Sequence, residues 1–178
     1  RMAYETAVYT GDEQWRREVA LPVIEQSARF YASHMHREQN GHWGIKVVPS
    51  MSQDEKAKPN GKNYLCALYA ARYVFSIAVR CGLKMYEHFL RDTLAFDWLY
   101  DKERGLYRTY EEMTPERWGL EKHPVQLLPM TYLPAKTLDD AERMAYKQRA
   151  EICANTKSNV YSGWTLGSFW LASAYAGD

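Results

Sequence analysis

Two adjacent carboxylates, Asp54-Glu55, close an irregular run that begins Gly41-His42-Trp43-Gly44 and continues through Pro49 and Ser50-Met51-Ser52-Gln53. Neighbouring carboxylates are a unit suited to acid chemistry. Each disfavours ionisation of the other, and with partial burial a glutamate rises from about 4.3 toward neutral pH and keeps a proton to give away. In an ordinary loop the same Asp54-Glu55-Lys56 would be a solvated charge cluster. A third carboxylate of interest is Glu151, in Arg149-Ala150-Glu151-Ile152. His42 and Trp43 add an imidazole and a large ring to the same run, and their plainer role is loop packing. His34 and His36 point apart on a helix, as i,i+2 residues must, so no metal is expected there. No Gly-rich phosphate loop, nucleophile elbow or zinc signature occurs, and no cofactor is expected.

The elements that must position these groups are read as helices. The first spans about Asp12 to His36. Thr10-Gly11-Asp12-Glu13 has the form of a capping box, and Trp15, Val19, Val23, Phe30 and Tyr31 trace one face. Pro22, inside it, predicts a bend or a break. Periodicity stops between Gln39 and Lys62, where Gly41, Gly44, Pro49, Pro59 and Gly61 punctuate a long loop of the kind that is functional or disordered. A second helix, about Asn63 to Arg80, is apolar almost all round, and Cys81-Gly82 ends it. A third runs from about Lys84 to Leu99, and Tyr100 to Tyr107 reads as a turn into a short extended piece. Further helices are expected at about His123 to Tyr132, Leu138 to Thr156 and Gly163 to Ala176, which makes the chain all-α.

Composition narrows the function. Lys+Arg 23 against Asp+Glu 22 leaves no general attraction to nucleic acid or to an anionic membrane. No apolar run approaches the roughly 20 residues that cross a bilayer, so a soluble chain is expected. Cys66, Cys81 and Cys153 lack CxxC or CxxH spacing and read as buried free thiols, which give no compartment. With Trp 6 and Tyr 14, the aromatic excess suits stacking on flat apolar ligand faces, sugars among them, as well as ordinary core packing.

Five stretches, in order, resemble the glycoside hydrolase family 65 enzymes and related six-hairpin glycosidases. Tyr9-Thr10-Gly11-Asp12-Glu13-Gln14-Trp15 with Leu21-Pro22-Val23-Ile24-Glu25 and Ala28-Arg29-Phe30-Tyr31 is similar to the family's "TGD–E–FL … P–L–E–ARF–W" helix. Val48-Pro49 through Asp54-Glu55, then Asn60-Gly61-Lys62-Asn63-Tyr64, resembles its Gly-Pro-Asp-Glu-Tyr motif and paired asparagines. Tyr100-Asp101 through Gly105-Leu106-Tyr107-Arg108-Thr109-Tyr110, Lys122-His123-Pro124-Val125-Gln126-Leu127-Leu128 and Ser162-Gly163-Trp164-Thr165-Leu166-Gly167 resemble its later strand and helices.

The resemblance implies part of an (α/α)6 toroid that cleaves α-glucosides or related oligosaccharides with inversion. It makes Glu55 the general acid, with Asp54 as its electrostatic neighbour. An inverting enzyme also needs a carboxylate roughly 6.5–9.5 Å from the acid to activate water. Glu151, shortly before the Gly163-Trp164-Thr165 helix start, is the candidate base. His42, Trp43, Lys122, His123 and Trp164 are the expected sugar contacts. A phosphorylase would need a small phosphate-binding loop that Ser158-Asn159-Val160-Tyr161-Ser162 does not reproduce, so hydrolysis is preferred. The other alternative is a non-catalytic carbohydrate-binding or scaffold module, favoured by the residues inserted between Pro49 and Asp54. A full toroid uses twelve helices and about six are read here, which implies a partial catalytic domain over residues 1–178. Its expected partners are a carbohydrate substrate and the remaining half of the barrel, on the same or a separate chain.

Overall fold

The computed structural model describes residues 1–46, 63–92, 94, 96–113 and 138–155, with 167, 170, 171 and 174 described singly. They divide between two compact units, one of Arg1–Gly44 with Ala71–Leu94, the other of Ile45–Ala70 with Ala95–Asp178. Helices α1 (Met2–Thr10), α2 (Glu13–Trp15), α3 (Leu21–His34), α4 (Leu65–Arg80), α5 (Glu87–Arg91) and α6 (Asp140–Asn155) accompany two two-stranded sheets. One sheet pairs β1 (Met35–Arg37) with β2 (Trp43–Ile45), and the other pairs β3 (Tyr100–Asp101) with β4 (Leu106–Tyr107). The all-α toroid expectation is therefore corrected to a largely helical fold that also contains small β-sheets.

In the first unit, α1 was not anticipated, whereas the cap that follows it was. Asp12 Oδ1 accepts the Trp15 amide at 2.9 Å, which satisfies one of the free donors at the start of α2. Pro22 neither ends nor interrupts the helical path. A π-helical turn, Arg16–Ala20, joins α2 to α3, and Ala20 and Leu21 keep right-handed helical angles. Proline then falls in the first turn of α3, where a missing donor costs little. The buried stripe is Ala20, Ile24 and Ala28, while Trp15, Val23 and Phe30 are exposed, so the inward face is rotated from the one read in sequence.

The first helical path stops two residues short of the expectation, at His34. Ser33 Oγ and His34 Nδ1 both donate to the Phe30 carbonyl at 2.8 Å, and Met35 turns extended at φ −77, ψ 145. A turn follows in which Glu38 N donates to His42 O and Gly41 N to Glu38 O, both at 2.9 Å. The beginning of the expected long loop is thus a β-hairpin. The expected helix over Lys84 to Leu99 is likewise interrupted. A 3-10 turn at Lys84–Tyr86 and the short α5 are followed by Leu94, whose backbone bridges to Trp43. Phe75 stacks on Phe89 at 4.5 Å and on Tyr86 at 5.7 Å to form an aromatic core.

In the second unit, Tyr64, Cys66, Leu106, Tyr110, Met113 and Ala145 form a buried cluster, with Ile152 of α6 packed against it. The β3–β4 hairpin turns on buried Asp101, whose Oδ1 accepts the Glu103 and Arg104 amides at 3.1 Å. Gly105 sits at φ 66, a left-handed conformation that favours glycine, with the Gln148 side-chain amide close by. The helices expected over His123 to Tyr132 and most of Gly163 to Ala176 lie outside the described residues. Gly167, Trp170, Leu171 and Ala174 are helical.

Candidate functional site

Of the residues read as catalytic or sugar-binding, Asp54, Glu55, Lys122, His123 and Trp164 lie outside the described residues. His42, Trp43 and Glu151 are described. His42 ends the β1–β2 turn, where its amide donates to Asn40 Oδ1 at 3.0 Å and its Nδ1 accepts from Asn40 Nδ2 at 3.2 Å. That arrangement leaves the ring proton on Nε2. One face of Trp43 is covered by Arg37, whose guanidinium lies 4.0 Å from the ring centroid. Phe89 and His88 approach the same indole edge-on at 4.8 and 5.6 Å. Arg37 also donates to Asp92 at 2.5 Å. That bond, with a second from Arg91, holds the Asp92 carboxyl below the ordinary carboxylate range. One face of Trp43 is therefore occupied by a cation.

Beside this cluster, His36 Nε2 lies 2.8 Å from Glu38 Oε1, with the Glu38 side chain almost wholly buried. Among the described residues no three potential ligands gather as a metal site.

The second unit contains a polar arrangement that the motifs did not single out. Asn63 is fully buried and adopts φ 54, a left-handed conformation that asparagine tolerates better than most residues. Its amide donates to Ile45 O at 2.9 Å, and its Oδ1 accepts the Ile45 amide at 2.8 Å, so one residue holds both polar groups of Ile45. Its Nδ2 donates to Glu111 Oε2 at 2.9 Å. Leu65 N then donates to Thr109 O at 2.9 Å, and Tyr64 stacks on Tyr110 with 4° between the rings. Ile45 and Asn63, which flank Asp54 and Glu55 in sequence, are thus joined by a buried latch. Its signal in sequence was only an asparagine just before an apolar helix, which reads equally well as a cap.

Glu151 is exposed on α6. The same helix begins with a reciprocal cap: Glu142 N donates to Asp139 Oδ1 at 2.7 Å, and Asp139 N donates to Glu142 Oε2 at 2.9 Å. The other oxygen of buried Glu142 accepts the Tyr69 hydroxyl at 2.7 Å. Burial first, then the nearby Tyr146 and the Glu142 carboxylate, push the Tyr69 phenol well above its ordinary value. Glu142 is consequently committed to structure, and Glu151 is the reachable carboxylate of the pair. Compared with models of known protein families, with curated proteins and with solved structures, the chain matches none.

Proposed function

We propose that this chain cleaves α-glucosides by inversion, with Glu55 giving a proton to the departing glycosidic oxygen and Glu151 activating water. The observation that carries the reading is the Asn63 latch. A general acid is useful only when held at a reacting oxygen, and a segment whose two ends are tied by buried hydrogen bonds, as Ile45 and Asn63 are, loses less freedom on positioning its acid than one with free ends. The order Asp54-Glu55, then Asn60 and Asn63, then the apolar helix α4 is also the order in which the resemblance to family 65 runs. For the base, exposure on α6 makes Glu151 accessible to water and substrate, whereas Glu142 has both oxygens engaged.

Trp43 has a narrower part in this reading. With Arg37 over its ring, it serves as packing for the turn that presents His42, the imidazole this reading assigns to a sugar hydroxyl.

The test is glucose release from α-linked glucose disaccharides, followed by proton NMR so that the first anomer formed is seen. Inversion gives β-glucose from an α-linkage. Glu55→Gln should lower the rate by about 10²–10⁴, the usual worth of a positioned general acid, and Glu151→Gln should lower it comparably. Adding inorganic phosphate should leave the products unchanged; a sugar 1-phosphate would make the reaction phosphorolysis instead. Full activity in Glu55→Gln would remove that residue from the mechanism.

A further inference from the structure

Apart from these groups, the first unit holds a cleft of about 320 Å³, at the small end of the roughly 300–1,000 Å³ typical of ligand pockets. It opens because the positions facing each other across the α1 and α2–α3 helices are small: Ala7 and Gly11 on one side, Ala20 on the other. Larger side chains there would fill the space. Its floor is apolar, with Ala7, Ala20 and Ile24 all buried. The π-helical turn Arg16–Ala20 runs along it, a backbone form found mainly as single turns and frequently at functional sites.

Charge at the mouth is unbalanced. Arg16 is neutralised by Glu13, with Nη1 at 3.1 Å from each carboxylate oxygen. Arg80, at the end of α4, also lines the cleft, is exposed, and its guanidinium has no ion pair or hydrogen bond with the described residues. We propose that this cleft binds a small amphipathic monoanion, an apolar body bearing one carboxylate, with Arg80 meeting the charge. One uncompensated guanidinium matches one carboxylate, which it can grip with two parallel hydrogen bonds. The apolar body would lie on Ala7, Ala20 and Ile24. The site is independent of the glycoside chemistry.

Cys81 lines the same cleft beside Arg80 and reports on its occupancy. Burial pushes its thiol up, with Arg16 acting in the opposite direction, so its alkylation is slowed and followed over time. The experiment follows Cys81 alkylation by iodoacetamide, read by peptide mass spectrometry on the full chain. The probe is 4-phenylbutyrate, and its uncharged amide is the control. The acid should slow Cys81 alkylation several-fold and saturably. The amide should not, and Arg80→Gln should abolish the protection while leaving the unmodified chain folded by circular dichroism. Equal slowing by acid and amide would overturn anion recognition, and no slowing by either at millimolar concentration would overturn the site. Because the amide removes the charge from the ligand side, the comparison decides the matter even if Arg80→Gln does not fold.

Discussion

The two units use polar side chains in opposite ways. In the unit built from Ile45–Ala70 and Ala95–Asp178, the polar residues Asn63, Asp101 and Glu142 are buried, and each holds backbone amides in a fixed geometry. In the unit of Arg1–Gly44 and Ala71–Leu94, buried Glu38 meets the His36 side chain, Arg37, Asp92 and Arg16 pair with side chains near the surface, and Arg80 is exposed. A buried polar group that loses its partner costs its full desolvation, whereas a surface pair exchanges protein for water at little cost. Substitutions of the buried Asn63, Asp101 and Glu142 should therefore cost stability, and substitutions of the surface pairs in the first unit should cost little.

The largest effect is expected at the latch. Asn63→Ala leaves the Ile45 amide without its acceptor and forces alanine into a left-handed conformation, a loss of about 2–4 kcal/mol in urea unfolding. Asn63→Gly keeps the conformation and removes only the side chain, so it should fall between alanine and wild type. Equal losses for the two would show that the backbone conformation contributes nothing.

Next is the α6 cap. Glu142→Ala strips the Asp139 amide and the Tyr69 hydroxyl together and should cost about 2–3 kcal/mol, whereas Tyr69→Phe, which removes one bond and leaves the cap, should cost about 1 kcal/mol. A Tyr69→Phe loss as large as that of Glu142→Ala would place the stabilisation in the Tyr69–Glu142 bond and not in the cap.

Smaller effects should appear at the extremes of pH. Burial would raise Asp101, but the Arg104 amide and guanidinium, with Arg108, outweigh it and hold the carboxyl below its ordinary value. The folded state then binds this proton more weakly than the unfolded one. The Asp101 contribution is present above about pH 3.9 and is lost as pH falls through the lower folded value, so Asp101→Asn should flatten the acid limb of a stability profile. Tyr69 has the opposite sign. Its phenol is raised, so its contribution is present below about pH 10 and is lost as pH climbs toward the folded value; Tyr69→Phe should flatten the alkaline limb. The smallest effect belongs to the surface. Asp92→Asn should shift the urea midpoint less than any of these changes, and a larger shift would erase the contrast between the units.

What could be read from sequence follows from how local each cause is. Helix α4 was legible because its apolar residues recur around the whole helix. Its end was legible because Gly82, at φ 96, follows the last turn and lets Leu83 N reach Ala78 O at 2.9 Å. The Asp12 cap and the turn at Tyr100–Tyr107 were local in the same sense. The break after α5 was not, because it depends on Trp43 pairing with Leu94 and on Arg37 reaching Asp92, contacts that no window of sequence contains. The rotated face of α3 was missed because large apolar residues were read as inward, whereas the small Ala20 and Ala28 are the ones that allow close packing. Of the candidate site, Glu151 and His42 were read as residues, but the Asn63 latch was not. Its role depends on a backbone angle that a residue name does not encode.

The central claim is that the segment between Ile45 and Asn63 carries the acid of an inverting glycoside cleavage. The most direct measurement is the initial rate of glucose release from an α-linked disaccharide by the wild-type chain, by Glu55→Gln and by Glu142→Gln, each confirmed as folded. The account predicts a loss of about 10²–10⁴ for Glu55→Gln and near wild-type turnover for Glu142→Gln. Equal rates for wild type and Glu55→Gln, or equal losses in both variants, would contradict it.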